Sequence, residues 1–321
     1  MGFTNVQAHK IKGDFRMYDV IIIGAGVVGY ATAMYAGRMG MKSLVIGAEP
    51  GGTITKTNMV ENYPGFKKLT GQELADNLRE HALDYKEFVE LKDSMVTKIQ
   101  KKDDGNFSVS MGENVVEGKT VIYATGSKWR ELQVPGHDDY LNKGVHYCAL
   151  CDGFFYRKKI TAVVGGSDSA AKDALVLAEH ADKVYIIYRK ESIRAEPPNI
   201  KRVNDNPKIE IINNTNVLEM KGDNVKGLTS VKLDKEFNGS DELALDGLFI
   251  AIGHLPLSDL AKEVGVVLNK KNEIMINRKS ETNVPGFFAA GDVADTHFKQ
   301  AITGVAEGVL AAYGAYEYIN Q

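Results

Sequence analysis

The stretch Asp19-Val20-Ile21-Ile22-Ile23-Gly24-Ala25-Gly26-Val27-Val28-Gly29 decides the fold. Its uncharged Val/Ile run reads as a buried parallel strand, and it passes straight into G-x-G-x-x-G and a small-residue helix from Tyr30 to Met39. The first glycine permits a tight turn. The second lets backbone approach a pyrophosphate, and the third lets the helix pack closely on the strand, with phosphates at the helix N-terminus. A second strand follows over Ser43 to Ile46, and Glu49 is placed to accept a ribose 2'-hydroxyl. Val20 to Gly37 carries no charged side chain and is long enough to raise a membrane span. Its four glycines, Gly24, Gly26, Gly29 and Gly37, favour strand, turn and helix instead.

The same pattern returns further along the chain. Ile160 to Val164 leads into Gly165-Gly166-Ser167-Asp168-Ser169-Ala170 and an alanine-rich helix to about His180. Ser167 stands where the second glycine would be, which narrows backbone approach and adds a hydroxyl donor; Ala170 is an accepted third position. The next strand, Lys183 to Tyr188, ends in Arg189-Lys190, with Arg194 beyond. Cations there suit a 2'-phosphate and hence NADP(H), although solvated charges at a strand end would look the same. Two such units with different ribose signatures predict two different dinucleotides.

Composition agrees with this reading. The chain has 321 residues, enough for about two domains at ~150 residues each. Lys plus Arg number 39 against 42 for Asp plus Glu, with no long block of one sign, so nothing points to nucleic acid or an anionic membrane. Met1 to Asp19 contain Lys10, Lys12, Asp14 and Arg16 but no apolar core of a secretory signal, so the expected compartment is cytoplasmic.

Both cysteines of the chain, Cys148 and Cys151, fall three positions apart, a spacing that chance would produce about once in 160 placements. A zinc site could take His146, Cys148 and Cys151, yet a closed structural site needs four ligands, and no metal is expected. In a reducing compartment a persistent disulfide is usually catalytic or redox-sensing, so a cycling dithiol is the favoured reading. Cys-x-x-Cys suits that role because a helical turn brings the two residues together and a helix N-terminus favours thiolate.

Three smaller features belong with the first unit. A strand over Thr120 to Tyr123 exits through Ala124-Thr125-Gly126, suggesting close packing beside a nucleotide. The run Thr282 to Asp292 reads as turn, short strand and a Gly291-Asp292 pair, where the carboxylate would hold a ribityl hydroxyl or cap a helix. The last helix, about Gln300 to Ile319, is rich in alanine and glycine, which permits close packing on a neighbour or a bound ring.

Tyr147-Cys148-Ala149-Leu150-Cys151-Asp152-Gly153-Phe154-Phe155, immediately before the second glycine motif, makes the combination recognisable. From about Tyr18 to Ile319 the chain resembles the low-molecular-weight thioredoxin reductases, through Gly51-Gly52-Thr53, Val60-Glu61-Asn62-Tyr63-Pro64-Gly65, Arg194-Ala195-Glu196, Ala251-Ile252-Gly253-His254 and Lys299-Gln300-Ala301. The resemblance implies an α/β protein of two dinucleotide-binding, Rossmann-like domains, the NADP domain (128–253) inserted into an FAD domain (1–127 and 254–321). It places Gly24, Gly26, Gly29, Glu49, Gly52, Thr53, Asn62, Ala124, Thr125, Gly126, Gly291, Asp292, Lys299, Gln300 and Ala301 with FAD. It places Gly165, Gly166, Ser167, Asp168, Ser169, Ala170, Arg189, Lys190, Arg194, Ile252 and Gly253 with NADP.

The resemblance also implies the order of events: hydride from NADPH to flavin, two electrons to the Cys148–Cys151 disulfide, then exchange with a thioredoxin- or glutaredoxin-like protein. Cys151 would face the flavin, Cys148 would attack the partner disulfide, and Asp152 would serve the proton transfer. A homodimer is implied, as are hinges near Ser127 to Arg130 and Gly253 to Pro256. Lys299, on the flavin side, stands where arginine is common. At the nicotinamide site Ser167 replaces a glycine, Tyr188 stands where histidine is frequent and Lys190 where a second arginine is frequent. These departures bear on the donor, so NADH or a non-nicotinamide donor is the alternative to NADPH. A ferredoxin to NADP reductase-like flavoprotein is a further alternative, against which the dithiol argues. A peroxiredoxin-reducing flavoprotein would carry extra N-terminal modules, and a non-catalytic sensor would not need an intact Cys-x-x-Cys-Asp.

Overall fold

The computed structural model describes residues 17–57, 60–223, 225 and 227–321. The charged N-terminal stretch that bears on secretion lies almost wholly outside them. In chain order the elements begin β1 (Tyr18–Ile23), α1 (Val27–Arg38), β2 (Ser43–Gly47), α2 (Gly71–Leu83), β3 (Val89–Asp93), β4 (Lys98–Lys101), β5 (Phe107–Met111) and β6 (Asn114–Tyr123). Next come β7 (Ser127–Trp129), α3 (His137–Tyr140), β8 (Val145–His146), α4 (Ala149–Asp152), β9 (Ile160–Val164), α5 (Asp168–Ala178), β10 (Lys183–Tyr188), α6 (Pro197–Asp205) and β11 (Ile209–Asn213). The chain closes with β12 (Val217–Asp223), β13 (Gly227–Phe237), β14 (Ser240–Ala244), β15 (Gly247–Ile250), β16 (His254–Pro256), α7 (Asp259–Glu263), β17 (Phe287–Ala289) and α8 (Ala301–Ile319). Both βα units anticipated from the glycine motifs are present. Among the described residues no helix is long and apolar enough to cross a membrane.

The chain forms two compact units. One contains the described residues up to Ile54 with Ala75–Gly126 and Pro256–Gln321; the other contains Thr55–Leu74 and Ser127–Leu255.

The first unit is built on a sheet of order β3-β2-β1-β6-β5-β4, with β17 beside the end of β6. β1 has parallel partners on both sides, Ile23 pairing with Ile46 and with Tyr123. Such a strand is covered on both faces, which is why it reads as a continuous apolar run. Ile21 and Ile23 pack with Leu44, Ile46, Val121 and Phe287 on one face. Val20 and Ile22 pack with Ala33 and Ala36 of α1 and Ala311, Ala312 and Ala315 of α8 on the other. Each buried Val, Ile or Leu side chain among them contributes roughly 1.5–3 kcal/mol. α8 approaches α1 closely because Gly308 and Gly304 lie against Thr32 and Val28; a Cβ on Gly308 would stand 2.4 Å from Thr32 Oγ1. β6 is longer than its apolar stretch predicts, since Asn114 to Gly118 forms an antiparallel hairpin with β5 before the strand turns parallel to β1.

The second unit has a fully parallel sheet of order β11-β10-β9-β15-β8 and an antiparallel one of order β12-β13-β14. α5 packs Ala170, Ala171, Ala174 and Leu177 onto Val163, Ile186 and Phe249. β7 and β16, which hold the two hinge candidates, pair as a two-stranded ribbon.

Candidate active site

Register brings the candidate segments of the second unit to one edge. Val164 of β9 pairs with Ile187 of β10 and Ile250 of β15, and Phe249 of β15 pairs with His146 of β8. The carboxyl ends of these parallel strands therefore release, side by side, the dithiol after β8, the Gly165 loop after β9, the Arg189 cluster after β10 and Ile252-Gly253 after β15. Ligands of open α/β sheets bind at this edge.

Cys148 and Cys151 are joined as a disulfide, with Cα atoms 5.3 Å apart. Cys148 caps α4 in extended backbone, and the Cys151 N–H donates to its Sγ at 3.2 Å. A hydrogen bond to sulfur favours the thiolate once the bridge opens. Both cysteines and Asp152 are half-buried, while Leu150, Phe154 and Phe155 are exposed. Asp152 Oδ2 lies 3.4 Å from Nδ1 of the buried His146.

Gly165 adopts φ +149°, and a Cβ there would stand 2.4 Å from the Ala251 carbonyl oxygen. At Gly166 a Cβ would strike the Tyr188 ring at 2.3 Å. Ser167 is the exposed N-cap of α5 and makes no side-chain cap. Asp168 is occupied: its carboxylate accepts from Lys172 Nζ at 2.7 Å, Asn199 Nδ2 at 2.8 Å and the Glu196 N–H at 2.9 Å. The Lys172 hydrogen bond leads in lowering its pKa to about 2. Asp168 thus ties the Arg194 to Asn199 segment to the start of α5, and the Arg194 N–H donates to the Gly166 carbonyl at 2.6 Å. Arg189, Lys190 and Arg194 are exposed, and Arg194 Nε donates to the Tyr188 hydroxyl at 3.0 Å.

The first unit repeats this arrangement. The carboxyl ends of β1, β6 and β17 are adjacent, since Tyr123 pairs with both Ile23 and Ala289. Gly24, at φ +123°, would place a Cβ 2.1 Å from the Ala124 oxygen, and Gly29 would place one 1.8 Å from the Gly24 oxygen. The two glycines are therefore required by backbone packing. Gly26 is different, because its Cβ would meet nothing closer than 3.8 Å, and at Gly126 nothing lies within 4 Å.

The sequence profile of the pyridine nucleotide-disulphide oxidoreductases matches residues 18–308. The chain belongs to that family. Thioredoxin reductase of Bacillus subtilis (strain 168) is 35% identical over 316 residues, covering 95% of this chain and 96% of its own length. The Mycolicibacterium smegmatis thioredoxin reductase is 38% identical over 309 residues, covering 95% and 97%. The solved thioredoxin reductase of Streptococcus pyogenes MGAS5005 superposes with a TM-score of 0.87 at 35% identity, covering 95% of this chain and 99% of that one. Membership of this disulphide oxidoreductase family and these relatives imply FAD and NADPH.

The residues present fit those groups. α1 has no side-chain cap and no acidic residue in its first turn, so its leading N–H groups are left for an anion beside the open Gly26. Glu49 is exposed two residues beyond β2, and its carbonyl accepts from the Gly52 N–H at 3.0 Å. Thr53 sits in the short 3-10 turn Gly52–Lys56, and Asn62 is exposed in the 55–74 segment. Thr125 Oγ1 is engaged with the Leu257 carbonyl at 2.8 Å. The ammonium of Lys299 donates to the carbonyls of Asp292 at 2.8 Å and Ala294 at 2.6 Å and pairs with Glu273 at 3.2 Å. It buttresses the turn that carries Asp292. Gln300 caps α8 ahead of Ala301, in a reciprocal box with Thr303. The Gly291 N–H donates to Glu307 Oε2 at 2.8 Å; burial raises the pKa of Glu307.

Sequence reasoning missed the supports: Glu273, Glu307, Asn199, and Tyr156, whose hydroxyl lies 2.6 Å from His146 Nε2. None sits in a local motif. The one local signal is the histidine two residues before Cys148, weighed from the sequence as a zinc ligand.

Proposed function

We infer that this chain is a thioredoxin-disulfide reductase that draws electrons from NADPH through FAD. The observation that carries the reading is the Cys148–Cys151 disulfide on α4, one residue ahead of Asp152, on the same sheet edge as a glycine-rich loop and a cationic cluster. The FAD domain is residues 1–127 and 254–321 and the NADP domain residues 128–253, with Arg189, Lys190 and Arg194 for the 2'-phosphate and Glu49 for the flavin nucleotide's ribose. Asn62, Thr53 and Asp292 belong to the flavin contacts. Bound FAD supplies a two-electron relay between nicotinamide and disulfide.

The rest of the chemistry lies in the chain's own side chains. Reduction cleaves the Cys148–Cys151 bond. The Cys148 thiolate then attacks one sulfur of the thioredoxin disulfide, forming a mixed disulfide and expelling the other sulfur as thiolate, which takes a proton by way of Asp152. Cys151 attacks the Cys148 sulfur, restores the internal disulfide and expels the second partner thiolate. Each cycle delivers two electrons and two protons to the partner. The same reading carries a homodimer in the cytoplasm, where reducing thiol pools keep protein disulfides transient.

The test is an anaerobic titration of the holoenzyme with NADPH, and separately NADH, followed through the flavin absorbance. Bleaching by NADPH and reoxidation by oxidised thioredoxin supports the whole path. No bleaching by either nucleotide, with dithionite-reduced enzyme still reducing thioredoxin, keeps the disulfide chemistry and replaces the donor.

A further inference from the structure

His146 ends β8 two residues before Cys148, and its ring is held on several sides. Nδ1 lies 3.4 Å from Asp152 Oδ2 and Nε2 lies 2.6 Å from the Tyr156 hydroxyl. The ring stacks on Phe249 with centroids 5.3 Å apart and a 27° interplanar angle, and Tyr156 stands edge-on to both rings. Both nitrogens are thereby committed, one to the carboxyl beside the dithiol and one to a buried phenol.

A thiolate leaving a disulfide near neutral pH needs a donor that still holds a proton there. Free carboxylic acids have given theirs up by then, whereas imidazole is the side-chain class that changes charge in that range. Burial, with Asp152 and Asp246 adding to it, raises the Tyr156 pKa, so its O–H is retained. A phenol can donate to the Nε2 of a neutral imidazole or, with its O–H turned, accept from the Nε2–H of an imidazolium. The contact with Tyr156 therefore survives both charge states of the ring.

We propose that His146 is a positioning residue for the thiol exchange, which orients Asp152 and relays a proton to it. The proposal rests on the reading of Asp152 as the group that serves the leaving thiolate. As the partner S–S bond breaks, Asp152 passes a proton to the departing sulfur and takes one at Oδ2 from Nδ1 of the imidazolium. The thiolate becomes a thiol, the imidazolium an imidazole, and the carboxylate ends as it began; the imidazole regains its proton from solvent.

The titratable and charged groups around the ring are Asp152 from α4 and Tyr156 from the turn after it. Through Tyr156 they include Asp246 and Lys159, whose Nζ is 5.4 Å from the phenol ring centroid. β15 supplies Phe249, and α5 supplies Ala171, Ala174 and Leu177 to the same cluster. The same helix carries Asp173, whose pKa burial raises to about 7, so the test controls for it.

Pre-reduced holoenzyme is mixed with oxidised thioredoxin in a stopped flow from pH 5.5 to 9, for wild type, His146→Phe, His146→Asn, Asp152→Asn and Asp173→Asn. Both His146 variants are expected to slow exchange about tenfold or more at pH 6, to lose the alkaline fall-off of the wild-type profile as a separate step, and to keep KM for thioredoxin and flavin reduction by NADPH. Asparagine retains an amide that can hold Asp152, so it recovers part of the rate and none of the pH profile. Superimposable pH profiles for wild type and His146→Asn overturn the proposal, as does a fall-off that moves only with Asp173→Asn. If His146→Phe does not fold, the asparagine variant alone decides. An unchanged exchange rate in Asp152→Asn overturns the Asp152 reading itself, and this proposal with it. Slowed exchange in Asp152→Asn beside unaltered His146 profiles overturns only the role of His146.

Discussion

The Tyr188 ring lies where a side chain on Gly166 would have to go, and the same tyrosine's hydroxyl accepts from Arg194 Nε at 3.0 Å. One residue thus closes one side of the glycine loop and orients a cation of the Arg189 cluster. Arg194→Ala is expected to raise KM for NADPH about ten- to thirtyfold, the scale of a charge-assisted contact, and to leave KM for NADH nearly unchanged. Tyr188→Phe keeps the ring over Gly166 and releases the guanidinium, so its expected effect is smaller, about three- to tenfold. Initial-rate kinetics with both nucleotides checks the pair.

The two cysteines separate the halves of the cycle. Cys148→Ser and Cys151→Ser are each expected to abolish thioredoxin turnover, by about a thousandfold or more, while NADPH still bleaches the flavin in both. Mixed-disulfide trapping distinguishes them. With Cys148 as the nucleophile, only Cys151→Ser accumulates a covalent adduct with thioredoxin, read on a non-reducing gel.

Gly29 and Gly26 lie three residues apart and predict opposite outcomes. A Cβ at Gly29 would stand 1.8 Å from the Gly24 oxygen, so Gly29→Ala forces β1 and α1 apart and is expected to lose soluble protein or at least ~3 kcal/mol of stability. A Cβ at Gly26 meets nothing nearer than 3.8 Å, so Gly26→Ala is expected to fold with near wild-type circular dichroism and to bind FAD weakly. FAD content after gel filtration, beside thermal melting of the apoprotein, checks both.

Asp173 and Asp168 sit on one helix with opposite pH signatures. Burial raises the Asp173 pKa to about 7, above that of an unfolded aspartate, so the folded state binds the extra proton and stability falls as pH rises from about 4 to 7. Asp173→Asn is expected to add of the order of 2–4 kcal/mol to the second unit at pH 8 and little at pH 4. The pKa of Asp168 is lowered to about 2, chiefly by Lys172, so its contribution is present above pH ~4 and lost as pH falls toward 2. Melting temperatures of wild type, Asp173→Asn and Asp168→Asn across pH 3–8 test both signs.

Local chemistry makes much of the molecule legible in its sequence. A Val/Ile run that must be covered on both faces, followed by glycines where backbone meets backbone, specifies strand, turn and helix within about twenty residues. That is why β1 with α1 and β9 with α5 appear where their motifs stand, and why the spacing of Cys148 and Cys151 favours a cycling dithiol. The candidate segments share one edge only through parallel register, which lays the ends of β8, β9, β10 and β15 side by side. Tertiary packing alone decided the supports. Lys299 is held by Glu273 and two carbonyls, Asp168 by Asn199 and Lys172, and His146 by Asp152, Tyr156 and Phe249. A buried polar side chain takes whichever partner the fold places within hydrogen-bonding distance, and no spacing in the chain records that choice.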